Sequence, residues 1–369
     1  MKKIVGFFLS LLVLVSPFKA KALETSAKAY ILVNAETLGI LVGENYNIKL
    51  PMASTTKIMT ALILAEQKNL QKTVKVTKEM ISVEGSSMGL LEGDTVSFND
   101  LLYGMLLASG NDAANVTAIA LGGSTENFAK MMNRKAKEIG LKNTNFVTPS
   151  GLDAENHFST AYDLAVLTAY ALKNKVFKNA ASSYKATLFY GNPPYRRTIT
   201  NHNKLLIEYE DAIGVKTGFT RKAGRCLVSA AKRDGKTVIC VTLNDPDDWN
   251  DHTKLLNLGL NSVVNYKPEF TNTLSSIKVM GGERDSVNVN CNFGDVCLIE
   301  DEINGLTYKI HYNKFLIAPI FKDQVVGEIT YHLNNKIIKR FNITAKETVN
   351  SIEISSFNKF LCCLKLLLS

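Results

Sequence analysis

The chain has 369 residues, 46% of them hydrophobic and 21% charged, with a formal net charge of +9. That balance excludes a largely disordered chain and a multispan membrane protein, and the length suffices for two hydrophobic cores. Lys2, Lys3, Lys19 and Lys21 supply four of the positive charges, so without them the excess is about +5; with no dense basic stripe or nucleic-acid motif, this mild charge gives nucleic-acid binding no support.

Lys2-Lys3 precedes an almost wholly apolar run at 4–15, too short to span a bilayer comfortably, and Ala20-Lys21-Ala22 follows. This is the pattern of a secretory signal peptide cut after Ala22, so residues 1–22 are assigned to it and the folded part is expected outside the cytoplasm. Next, 29–34 (AYILVN) and 39–44 read as strands, 57–67 (KIMTALILAEQ) as a helix and 74–76 as a short extended piece. Helical spacing recurs at 99–107, 113–121, 128–139 and 160–171. Beyond Gly214, strand patterns at 224–232 and 236–244 flank Asp234-Gly235, a strong hairpin signal, and 251–264 reads as a last helix. Strands at both ends and helices between predict an α/β (α+β) domain over 23–265, its antiparallel sheet packed on helices.

Composition changes near 265–268. Short strand signals at 276–280, 287–290, 309–311, 323–331 and 336–343, separated by Gly, Asn and Asp, predict a small all-β domain over 266–350. Residues 354–369 are apolar at helical spacing, with Lys359 and Lys365 on a narrow polar side, and read as an amphipathic helix at a membrane surface. None of the six cysteines precedes Cys226, so disulfides do not build this fold. Cys226 and Cys240 read as buried thiols, while Cys291 and Cys297 are spaced to pair across a hairpin; Cys362 and Cys363 lie in the tail. No Cys and His spacing suggests a zinc site, and no cofactor is expected.

Three short patterns carry chemistry. In Ser54-Thr55-Thr56-Lys57 a serine at a helix start has a lysine one turn later on the same face, close enough to act as its base. Ser109-Gly110-Asn111 is a tight turn after an apolar run; on its own it reads as a helix cap, with two polar groups aimed into a cleft as the alternative. Lys216-Thr217-Gly218, with Thr220 close behind, offers a cation and hydroxyls to a carboxylate, and a glycine past which a substrate backbone can run.

The order S-x-x-K, S-x-N, K-T-G is the signature set of penicillin-binding proteins and serine β-lactamases. The chain resembles in particular the low-molecular-mass D-alanyl-D-alanine carboxypeptidases, peptidase family S11, through PMASTTKIMTALILAE at 51–66, LLYGMLLASGNDAANVTA at 101–118, FVTPSGLDAENHFSTAYDLAVL at 146–167 and GVKTGFTRKAGRCLVSAAKRDG at 214–235. The resemblance implies a β-lactamase/transpeptidase-like catalytic domain followed by a small β domain and a membrane-associating helix. It implies Ser54 as acylated nucleophile, Lys57 as general base and Ser109 as proton relay. Asn111 would hold the substrate amide, Lys216, Thr217 and Thr220 the terminal carboxylate, and the N–H groups of Ser54 and Phe219 the oxyanion. The implied partners are peptidoglycan stem peptides ending in D-Ala-D-Ala, and β-lactams. Phe219 stands where relatives often carry histidine, and His202 where some carry arginine. Glu155 reads as an exposed loop residue, and His157 and Asp163 as structural. A β-lactamase, a D,D-endopeptidase and a penicillin-binding protein without catalysis are the rival functions.

Overall fold

The computed structural model describes residues 24–268, 274–291 and 293–352. The expected signal peptide and the expected helix at 354–369 lie outside the described residues.

The first part opens with β1 (Ala29–Asn34) and β2 (Ile40–Glu44), then a 3-10 turn at Ala53–Thr56 that runs into α1 (Lys57–Ala65). A small sheet begins with β3 (Thr73–Lys75), and after α2 (Lys78–Ile81) continues with β4 (Thr95–Ser97). The helical middle comprises α3 (Phe98–Leu106), α4 (Asn111–Gly122), α5 (Thr125–Ile139), α6 (Ala161–Ala171) and α7 (Lys175–Ala181). Ser97, Ser124 and Thr160 cap α3, α5 and α6 by accepting from the backbone N–H three residues on. The hairpin β5 (Lys185–Gly191) and β6 (Pro194–Thr200) completes the small sheet, and α8 (Leu205–Glu208) leads into β7 (Ala212–Thr220), β8 (Gly224–Arg233), β9 (Lys236–Leu243) and α9 (Asp248–Ser262).

The main sheet is antiparallel, in the order β2-β1-β9-β8-β7, so β7 is an edge. Both of its faces are buried. Ile31, Val33, Val228 and Ile239 join the core shared with the helical middle, while Leu32, Leu227 and Val238 pack against Leu255, Leu256 and Leu260 of α9. Covering on both sides is why these strands read as nearly continuous apolar runs.

The second part is mostly strand: β10 (Val264–Tyr266), β11 (Ser276–Met280), β12 (Ser286–Cys291), β13 (Val296–Leu298), α10 (Glu300–Ile303), β14 (Thr307–Tyr312), β15 (Phe315–Ile317), β16 (Val325–Leu333) and β17 (Lys336–Ala345). Six of the strands form one sheet, β14-β16-β17-β12-β11-β15, over a separate core that includes Val287, Ile329 and Tyr331. At the junction β10 pairs with β13, Asn34 Nδ2 donates to the Cys297 carbonyl at 2.7 Å, and Lys339 meets Glu36 at 3.1 Å.

The pairing entertained for Cys291 and Cys297 does not form. β12 and β13 belong to different sheets; Cys291 Sγ donates to the Leu274 carbonyl and Cys297 Sγ to Asn265 Oδ1. Cys226 and Cys240 are buried thiols, and burial pushes the Cys226 pKa up to about 12.

Candidate active site

Ser54 sits in the 3-10 turn rather than at the first residue of an α-helix, and Lys57 opens α1 directly behind it. Lys57 is fully buried; its Nζ donates to Asn111 Oδ1 at 2.6 Å and the Ser150 carbonyl at 2.7 Å, and lies within hydrogen-bond distance of Ser54 Oγ at 2.9 Å. Burial, and then the charge of Lys216, push its pKa well below the usual lysine value.

Two loops hold this amine. The first, after α5, supplies Ser150, and Gly151 follows it at φ +89°, where an added Cβ would stand 1.9 Å from the Ala53 carbonyl oxygen. Only glycine lets the loop lie this close to the nucleophile's turn. Its far side is pinned by His157, whose Nδ1 accepts from the Val147 N–H at 2.9 Å and whose Nε2 meets Thr56 Oγ1 at 2.9 Å. The second loop passes over the start of α4. The Asp112 carboxylate accepts from Ser87 Oγ and from the N–H groups of Met88, Gly89 and Leu90, while Asn111 N donates to the Ser86 carbonyl at 2.7 Å. Ser109, buried and at φ 57°, makes the turn between α3 and α4. Asp163 accepts from Asn143 N and Thr144 Oγ1, so it ties a loop to α6. Glu155 is exposed.

A cleft of about 290 Å³ opens beside Ser54, walled by Ser109, Thr217, Gly218 and Phe219 of the expected set. Ser86, His202, Arg225, Asp248 and Trp249 complete it. Of these, only His202 drew notice in the sequence; its pKa is lowered by burial and by Lys216.

Several expected residues sit differently. The Asn111 side chain is committed within the protein, with Oδ1 accepting from Lys57 and Nδ2 donating to the Glu84 carbonyl at 2.6 Å. Thr220 Oγ1 donates to Asp153 at 3.0 Å and accepts from the Ala223 N–H, and it does not wall the cleft. Lys216 is 1% exposed and donates to the Thr217 carbonyl; burial brings its pKa down to about 7. Gly218 leaves room for the chain's own turn, since an added Cβ would stand 3.0 Å from Ser54 N.

A serine hydroxyl bonded to a buried amine of depressed pKa, at the mouth of a cleft along a sheet edge, is an arrangement for acyl transfer. The family model described as D-alanyl-D-alanine carboxypeptidase matches residues 16–247, and that of the penicillin-binding protein 5 C-terminal domain matches residues 270–351. The chain belongs to the D-alanyl-D-alanine carboxypeptidase family. It is 30% identical to the D-alanyl-D-alanine carboxypeptidase DacF of Bacillus subtilis over 92% of this chain and 90% of that one. Identity to DacC of Escherichia coli is 33%, over 89% of this chain and 86% of the relative. Among solved structures, penicillin-binding protein 5 of Haemophilus influenzae superposes with a TM-score of 0.64 at 28% identity, covering 89% of this chain and 98% of that one. The Streptomyces K15 DD-transpeptidase covers 64% of this chain and 98% of its own, with a TM-score of 0.61 at 33% identity. The family makes this chain a serine-type enzyme with the expected fold class, a mixed α/β catalytic part followed by a smaller, mostly β part.

Proposed function

We propose that the protein removes the terminal D-alanine from peptidoglycan stem peptides through an acyl-enzyme on Ser54, and that penicillins acylate the same oxygen. The observation that carries this reading is the set of partners around Lys57 Nζ. A neutral amine has two N–H bonds and one lone pair. With Asn111 Oδ1 and the Ser150 carbonyl taking the two N–H bonds, the lone pair is left for the Ser54 hydroxyl at 2.9 Å.

In this mechanism Ser54 Oγ attacks the carbonyl of the penultimate D-alanine while Lys57 takes its proton. The oxyanion is held by the N–H groups of Ser54 and Phe219, which the closeness of Gly218 to the Ser54 backbone brings to one side of the cleft. Collapse breaks the amide bond, and Ser109 passes the proton to the departing D-alanine nitrogen. Water then attacks the ester, and Ser54 regains its proton. Thr217 lies on the cleft wall for the substrate's end. Asn111 positions Lys57, and Lys216 acts through its charge on Lys57. Residues 23–265 form the catalytic domain and 266–350 the β domain in this reading.

Mass spectrometry of products tests it. A purified wall pentapeptide should lose one alanine, a crosslinked dimer should remain joined, and a penicillin adduct should map to Ser54. Cleavage of the dimer would favour an endopeptidase, and rapid release of hydrolysed penicillin a β-lactamase. The family's character and the signal-like N-terminus support a place in the cell-wall space in association with the membrane. We propose that the helix at 354–369 holds the protein on the outer face of the cytoplasmic membrane. Among the described residues no helix is long and apolar enough to cross a membrane.

A further inference from the structure

We infer that Arg225 is the group that receives the terminal carboxylate of the peptide, as a guanidinium clamped by Asp248 and Trp249 on the cleft wall. The inference rests on the reading of a D-alanyl-D-alanine peptide as substrate, and it replaces the expectation that Lys216 and Thr220 bind the carboxylate.

A peptide cleaved one residue from its end brings a carboxylate into the cleft with its scissile bond, and that anion loses water when it binds. Repayment requires a donor that is charged and reachable. Lys216 is neither on the cleft wall nor fully protonated near neutral pH, and the Thr220 hydroxyl is spent on Asp153. Among the residues that wall the cleft, Arg225 is the only lysine or arginine.

Arg225 is built to stay in place. It lies on β8 directly across from Phe219 of β7, so the two side chains rise on the same face at the sheet edge. Its Nη2 donates to Asp248 Oδ1 at 2.7 Å, and its guanidinium stands 5.6 Å from the Trp249 ring centre. Asp248 is buried at the start of α9, so this contact anchors the arginine to a helix. Donors remain. A guanidinium has five N–H bonds; one goes to Asp248 and the Nε one is buried, so the donors open to a ligand are the remaining ones on the Nη atoms. The side chain keeps 41% of its surface exposed. Asp248 takes one N–H bond and opposes an arriving anion, so the attraction has to come from the exposed remainder of the guanidinium. The fork shape of arginine matches a carboxylate in a way a lysine does not.

The test compares substrates with and without the carboxylate. Rates are measured for N-acyl-D-Ala-D-Ala against its C-terminal amide, and for benzylpenicillin against its methyl ester. Arg225→Ala should lower kcat/KM for the two acids by roughly 10- to 100-fold and leave the amide and ester nearly unchanged. Arg225→Lys should recover part of the preference. Should Arg225→Ala fail to fold because Asp248 is left unpaired, the double variant Arg225→Gln with Asp248→Asn leaves no ion behind and carries the same comparison. Equal losses on acids and neutral analogues, or no loss on either, overturn the inference. In those cases penicillin labelling of Ser54 in the wild type shows whether the acyl-enzyme reading still stands. A wild type that neither cleaves the peptide nor labels at Ser54 overturns both.

Discussion

The Cβ that Gly218 lacks would stand 3.0 Å from the backbone nitrogen of Ser54 and 3.1 Å from that of Thr55. The edge strand and the nucleophile's turn are thus fitted against each other with only the Ala53 methyl beside the contact, 3.2 Å from the same point. The two nitrogens are backbone atoms, so neither can rotate away. Gly218→Ala should therefore force the two apart, costing about 1–3 kcal/mol of stability. Displacement of the oxyanion donors relative to Ser54 Oγ should slow acylation by roughly 10- to 100-fold. Melting curves together with penicillin acylation rates check this. An alanine variant that acylates at the wild-type rate would show that the strand does not set the geometry.

Lys57 and Lys216 are linked through their charges, and this has a readable pH signature. The pKa of Lys57 is lowered first by burial and second by Lys216. The base works when neutral, so acylation should rise with pH and level off well below the usual lysine value. Lys216→Met removes the second cause and should move the rising limb to higher pH. A limb that stays put would mean the two amines do not communicate. Stability gives an independent check. The folded pKa of Lys216 is about 7 against a usual 10.5, so the unfolded chain binds more protons between those values. Wild-type stability should rise with pH across that window, and its deficit relative to Lys216→Met should shrink accordingly.

Much of this site was legible because side chains carry it. The motif residues are distinctive, and β1 spans the expected 29–34 because both faces of that strand are buried. The turn at Asp234-Gly235 joins β8 to β9 as the dipeptide predicts, with φ of 51° and 81°. What escaped notice rests on backbone or on distant contacts. Any residue type can offer the carbonyl that Ser150 gives Lys57, so no sequence signal marks it. Arg225 and Asp248 are 23 positions apart and meet only because β8 runs beside the start of α9. The hairpin of β5 and β6 is not legible because Asn192-Pro193 is not a usual two-residue turn, and because the exposed positions carry Phe189 and Tyr195, so that the buried Leu188 and Tyr190 do not stand out as an apolar–polar alternation.

Two buried histidines should make the fold sensitive to acid. His157 is held at a pKa of about 4 and His252 at about 3, both through burial. His252 is enclosed by Ser229 Oγ at 2.5 Å and Thr242 Oγ1 at 3.0 Å. Both folded values lie below the usual 6.5, so their contribution is complete above pH 6.5 and lost as pH falls toward 4 and then 3. The melting temperature should drop on going from pH 7 to pH 4.5. His157→Gln should start lower, since the Val147 and Thr56 contacts are disturbed, but fall less steeply over the same interval. Parallel declines in variant and wild type would place the acid sensitivity elsewhere.

The last expectation concerns location. Ile352, the last described residue, donates its N–H to the Gly281 carbonyl in the β part, and no residue of that part walls the cleft at Ser54. Removing residues 354–369 should therefore leave peptide cleavage nearly intact while changing where the protein resides. Phe357, Phe360, Leu361, Leu364 and Leu367 offer apolar area to a headgroup boundary, at about 0.8 kcal/mol for each buried methylene. Lys359 and Lys365 add attraction to anionic lipid. Cells expressing the full-length and truncated proteins are fractionated, and activity is measured in each fraction. The intact protein should sediment with membranes and the truncated one should remain in the supernatant, both cleaving pentapeptide at similar rates. If both sediment equally, either the first 22 residues are retained as an anchor or the β part itself contacts lipid, and the assignment of the tail falls. Loss of cleavage in the truncated protein would instead show that the tail supports the fold.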